Sequence, residues 1–262
     1  MNTLSAALWA ETLKIRRSKI SLYTSFGFFV IPFIAGLFMI ILKDPEAAKS
    51  MGLISAKAQL LAGVADWPTF FNIISQATAV GGAILFSIIT TWVFGREFSD
   101  HTAKELLALP TSRTTIISAK FIVIIIWVFV LTLLMFLIGL LVGKLVEIPG
   151  WSKQLVISAF GGVVGSALLT MALLPFVAFI ASMGRGYLPP FGWTILTVFL
   201  AQIAAITGWG DWFPWSVPAL FSGAAGPREV FLEAHSYFMV ISTSIVGLLI
   251  TYYWWCKADQ TR

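Results

Sequence analysis

Phe121-Ile-Val-Ile-Ile-Ile-Trp-Val-Phe-Val-Leu-Thr-Leu-Leu-Met-Phe-Leu-Ile-Gly-Leu-Leu-Val-Gly143 runs between Lys120 and Lys144 without a charged side chain. Wound as a helix at ~1.5 Å per residue, it covers the ~30 Å of hydrocarbon in a bilayer. A soluble core helix buries one apolar stripe and shows charge on its other face, and this stretch has no such face. Five further uncharged runs of comparable length surround it, at 20–42, 67–95, 154–184, 186–210 and 236–256. Hydrophobic residues make up 58% of the chain and charged ones 11%, against roughly 25% charged in soluble domains. The bilayer is the solvent this sequence is written for.

A membrane barrel would alternate apolar and polar residues over ~10-residue strands, and no such alternation occurs. The expected fold is therefore all-α: a single transmembrane domain over 1–262 with membrane helices at 20–42, 69–94, 121–143, 155–183, 188–208 and 236–256. The first apolar run follows basic residues, as in a secretory signal, but its length and the lack of a small-residue cleavage site make it a span of the mature protein. Cys256 stands alone, so no internal disulfide contributes to the fold.

Eleven of the seventeen Lys and Arg fall on one side of this topology, among them Lys14, Arg16, Arg17, Lys19, Arg96, Lys104, Arg113 and Lys120. The other side carries six, with seven of the twelve acids. The positive-inside rule then places both termini and the 95–120 loop in the cytoplasm, with the chain multi-pass in a plasma membrane of bacterial type. The basic balance reflects topology and anionic lipid head groups, with no call on nucleic acid.

Residues 3–19 should form a helix before the first span. Leu4, Leu8 and Ile15 lie on one side of it and Trp9 and Leu13 on another, which suits an element between the lipid surface and a protein neighbour. In the fourth span Gly161 and Gly165, beside Ser158, Gly162 and Ser166, stand at close-packing spacing, as do Gly139 and Gly143 in the third. Between spans five and six, Trp209, Trp212 and Trp215 with Pro214 and Pro218 fit the outer aromatic belt, and short helices dipping into the outer leaflet.

The spans hold no ionisable residue in their interiors, where proton- or ion-driven transporters and pumps keep such groups. His101 and His235 lie far apart, so no metal cluster forms, and no base stands beside a Ser or Cys nucleophile. Gly139 to Lys144 misses the phosphate-loop spacing by one residue and lacks the Ser or Thr after Lys. No catalytic site, metal or cofactor of the chain's own is expected, and energy for uphill transport must come from another polypeptide.

The 95–120 loop is where such a partner would act. Thr102 and Glu105 have capping-box spacing, a short helix is expected over 103–109 before Pro110, and Thr111 or Ser112 caps the helix that enters span three. Leu106, Leu107 and Leu109 give this helix an apolar face outside the membrane, and two turns are not stable alone, so it docks on something.

Arg96-Glu97-Phe98, then Thr102, Leu106-Leu107-Ala108-Leu109-Pro110, Ser112-Arg113 and Lys120 resemble the cytoplasmic signature of the type 2 ABC permeases. Glu11-Thr-Leu-Lys-Ile-Arg-Arg-Ser-Lys and Pro214-Trp-Ser-Val-Pro are similar to the shorter members of the bacitracin and lantibiotic resistance group. The resemblance implies a pair of such subunits, identical or related, resting on two ABC ATP-binding subunits that carry ATP and Mg. It makes 103–109 the coupling helix and 3–19 the interface helix. Glu97, Asp100, Thr102, Glu105, Leu106, Leu107, Pro110 and Arg113 become the ATPase-coupling residues, with Glu97 and Arg113 bracing the loop. His101 departs from the glycine of many relatives. Asn72, Ser75 and Gln76 in span two are neutral groups suited to a path for an amphiphilic cargo such as a peptide antibiotic, drug or lipid-like molecule; helix-to-helix bonding is their other reading. A membrane scaffold or sensor subunit that moves nothing would share the same hydropathy.

Overall fold

The computed structural model describes residues 3–44, 52, 63–102, 105–106, 110–224 and 232–257. They form α1 (Thr3–Arg17), α2 (Lys19–Lys43), α3 (Trp67–Ser99), α4 (Arg113–Leu145), α5 (Lys153–Ala172), α6 (Leu174–Met183), α7 (Leu188–Ile206), a 3-10 turn at Gly210–Trp212, α8 (Val217–Ser222) and α9 (Ala234–Lys257). Among the described residues the fold is all-helical, and six helical segments are long and apolar enough to cross a membrane, with α5 and α6 together making the fourth. That segment breaks at Leu173, two residues before Pro175, which has no amide hydrogen to continue the ladder.

The post of the bundle is α3, which packs against α2, α4, α5, α6 and α7. Glycines decide how closely its neighbours come. At Gly139 and Gly143 of α4 a β-carbon would stand 2.8 Å from Ile74 and 2.4 Å from the Trp67 ring. These glycines are notches for α3 side chains, so the four-residue spacing serves packing within the chain. Gly165 of α5 is likewise a notch for Phe221, while Gly161 faces open space.

Two helices extend beyond the uncharged runs that announce them. Polar residues at the start of α3 and charged ones at its end belong to the same continuous helix, which begins at an Asp66 cap and runs to Ser99. Helix α4 begins at Arg113 with Ser112 as its cap, the Ser112 hydroxyl accepting from the Thr115 amide at 3.2 Å. Arg96, Glu97 and Lys120 are therefore helical residues, and the interiors of the helices are less free of charge than the uncharged runs indicate.

Candidate functional site

At the end of the bundle where α1, the end of α3 and the start of α4 converge, three buried charges, Glu11, Glu97 and Lys120, meet a fourth, Lys14, that is half-buried. Lys120 is fully buried, and its ammonium uses its three hydrogens on Glu97 Oε1 at 2.9 Å, Glu11 Oε2 at 3.2 Å and the Val93 carbonyl at 2.9 Å. Lys14 closes the ring from the other side, 2.7 Å from Glu97 Oε1 and 2.8 Å from Glu11 Oε1. Two acids and two bases alternate, so the knot is neutral. A buried ion that keeps all its partners is tolerated, whereas one that loses a partner is strongly destabilising. Burial alone would lower the Lys14 pKa, but the adjacent Glu11 and Glu97 carboxylates outweigh it and hold the value above that of an ordinary lysine.

The knot reaches the connecting loop through one hydroxyl. Thr102 Oγ1 donates to Glu97 Oε2 at 2.8 Å, so this hydroxyl hydrogen is committed to the end of α3. The Thr102 carbonyl accepts the Leu106 amide at 3.0 Å, opening a helical turn in which Glu105 and Leu106 are described. The remainder of the expected 103–109 helix, Leu107 included, lies outside the described residues. Leu106 is half-buried and packs against the core, while Glu105 and Pro110 face outward. His101 adopts φ 58°, the left-handed conformation that favours glycine. The turn that a glycine would make is thus made here by histidine.

The rest of the expected set has distinct places. Asp100 takes an ion pair from Arg96 at 2.9 Å, one turn away on α3. Arg113 Nη1 donates to the carbonyls of Trp255 at 3.1 Å and Cys256 at 3.2 Å, fastening the start of α4 to the end of α9. Trp255 is itself buried, bonds the Ser182 hydroxyl at 2.8 Å and meets Phe94 and Phe98 edge-on. These bonds bring the first helix, the 95–113 connection and the end of α9 to one end of the bundle.

In the middle of the bundle, Ser75 shares a buried hydrogen bond of 3.1 Å with Ser166 of α5, and Gln76 donates to the Gly223 carbonyl at 3.3 Å. Asn72 keeps a buried side-chain oxygen without a partner. A small cavity of about 40 Å³ lies between α3, α6, α7 and α8, edged by Ala79, Ser87, Thr194, Thr197 and Trp215. The Thr194 and Thr197 hydroxyls bond carbonyls of their own segment, leaving a neutral wall. On the face away from the knot, His235 pairs with Asp211 at 3.2 Å and stacks on Trp212, tying the 3-10 turn to α9. Glu11, Lys14 and Lys120 are not legible in the sequence as members of one cluster; the i, i+3 acid–base spacing of Glu11 and Lys14 is the available signal.

A body of six segments long and apolar enough to cross a membrane is that of a multi-pass membrane protein. The chain belongs to the ABC-2 transporter family: the family model described as ABC-2 family transporter protein matches residues 7–201. Membership makes it a multi-pass transport permease and implies an ABC ATP-binding partner. The chain is similar to the bacitracin transport permease protein BCRB of Bacillus licheniformis, at 31% identity over 180 residues, which is 68% of this chain and 85% of that protein.

Proposed function

We propose that this chain is the membrane-spanning subunit of an ATP-driven exporter, working as a pair of identical or related permeases on two ATP-binding subunits. The observation that carries the reading is the bond from Thr102 to Glu97. It joins the loop that would meet the ATPase to a knot gripping α1, α3 and α4 at once. Motion of the loop away from these helices would cost the buried Glu97 carboxylate one of its hydrogen bonds. ATP and Mg bind the partner; its closure on ATP tilts the helices, because a ligand shifts a two-state equilibrium by its difference in affinity for the two states. The termini and the knot lie in the cytoplasm, and α8 with the 3-10 turn forms a re-entrant cover on the outer side.

The cargo is amphiphilic. The wall of the central cavity is neutral, which disfavours an ionic solute, and a relative named for bacitracin transport puts a peptide antibiotic first among the candidates. Asn72 is the path residue kept from the initial three, since Ser75 and Gln76 already hold helices together.

The contact with the ATPase is tested by co-purification from cells expressing both subunits. Leu106 helps seat the loop on its own chain, so the variant is Glu105→Lys with Leu107→Asp. Bound ATPase should fall at least roughly tenfold, the equivalent of about 1.4 kcal/mol, with the permease eluting unchanged. Full retention of the ATPase and of transport would overturn the assignment.

A further inference from the structure

Beside the knot, an open cleft of about 540 Å³ lies between α1, the end of α3 and the residue preceding α7. Lys14, Arg17 and Arg96 line it with one acid, Asp100, and its walls carry Trp9, Trp92 and Tyr187. Arg96 lies over the Trp92 ring at 5.0 Å while it pairs with Asp100. Lys14 is balanced within the knot and Arg96 by Asp100, so the positive charge the described lining has to spare is Arg17, exposed on the helix surface. Trp92 and Tyr187 also line a second groove of about 450 Å³, whose other walls are Ile20, Ile88, Thr91, Leu188 and Phe191. That groove belongs to α2, α3 and α7, three of the segments able to cross a membrane.

We infer that the two grooves form one binding site for an anionic phospholipid of the adjacent leaflet. The phosphate sits against Arg17, Arg96 and the edge of Lys14, and an acyl chain descends between Ile20, Ile88 and Phe191. The charge pattern selects this occupant. A cationic recess continuous with an apolar groove matches an amphiphile whose charge is negative and whose tail is hydrocarbon, and basic pockets at membrane helix ends bind acidic head groups by this chemistry. Aromatic rings at the junction suit head-group depth. Leu188, 80% exposed, and Trp9, 64% exposed, leave the entrance open to lipid from the side. The site adjoins the interface between α1 and the knot, so its occupant would stiffen the helix that the proposed coupling depends on, although lipid binding itself does not require the export reading.

The test is native mass spectrometry of the detergent-purified chain after exchange with phosphatidylglycerol or phosphatidylcholine. The wild type should retain phosphatidylglycerol and shed phosphatidylcholine. Each cation near an acidic head group contributes roughly fivefold to binding. Arg17→Gln should therefore weaken phosphatidylglycerol retention roughly fivefold, and Arg17→Gln with Arg96→Gln roughly twenty-five-fold. Arg16→Gln, an equal loss of charge outside the cleft, should leave retention unchanged. Arg17 is exposed, so its single variant folds and carries the test if the double variant does not. Equal retention of the two lipids, or equal losses in the Arg16 and Arg17 variants, would overturn the site. So would a disulfide-linked homodimer formed through cysteines placed at Arg17 and Leu188, because a second copy would then occupy the groove.

Discussion

Lys120→Met should be among the most damaging single substitutions in this protein, at a cost of about 3–5 kcal/mol. Methionine fills the volume of the lysine stem but leaves Glu11 and Glu97, both buried, with one ammonium between them. The Val93 carbonyl loses its donor as well. Thermal unfolding in detergent, followed by the fraction of monodisperse protein on size exclusion, reads the loss. The charge-balanced pair Lys120→Met with Glu11→Gln should recover more than half of it, since Lys14 and Glu97 then remain as a neutral couple 2.7 Å apart. A single variant as stable as the wild type would mean that the four charges do not act as one unit.

Gly247→Val should be comparably harmful for a reason with no charge in it. A β-carbon at Gly247 in α9 would stand 2.7 Å from the Phe176 amide nitrogen and 2.9 Å from the Pro175 carbonyl carbon. Both are backbone atoms, which cannot rotate out of the way as a side chain can. Nearby, the Thr251 hydroxyl donates to the Pro175 carbonyl at 3.1 Å, holding α9 and α6 at this separation. Forcing them apart costs about 3 kcal/mol, at the upper end of overpacking, against which the better helix propensity of a residue with a side chain returns less than about 1 kcal/mol. Gly161→Ala is the control. Its β-carbon would meet nothing within 4 Å, so the same unfolding measurement should show no loss. If both variants are neutral, close approach of α6 and α9 is not what Gly247 provides.

Much of this architecture was legible in the chain. Six uncharged runs gave six spans, because hydrocarbon tolerates nothing else at that length. Ser112 was readable as a cap from the polar residue standing before a long apolar run. The break at Leu173 was announced by Pro175 but hidden inside an unbroken apolar stretch. The ends of α3 and α4 were less legible. The second uncharged run ends before Arg96 and the third begins after Lys120, yet both helices continue, because Glu97 and Lys120 neutralise each other inside protein instead of facing lipid.

The charge knot is much less legible in the sequence than the spans are. The resemblance implies that Glu97 and Arg113 brace the loop; in the structure Glu97 accepts from Thr102 and Arg113 donates to the end of α9. The partners of Glu97 were out of reach: Glu11 and Lys120 are separated by 109 positions in sequence and meet only when α1 folds back across α4. Ser75 and Gln76 show the opposite difficulty. Their neutrality suited a transport path, and the same neutrality suits the helix-to-helix bonds they make.

The link between the loop and the bundle is tested most directly by Thr102→Val in proteoliposomes containing the permease and its ATPase, with substrate flux and ATP hydrolysis measured together. Valine keeps the shape of threonine and removes the hydroxyl that bonds Glu97. A hydrogen bond to a charged group contributes about 1.5–3 kcal/mol, so substrate moved per ATP hydrolysed should fall roughly tenfold while hydrolysis continues. An unchanged ratio of flux to hydrolysis would contradict transmission of work through Thr102 and Glu97.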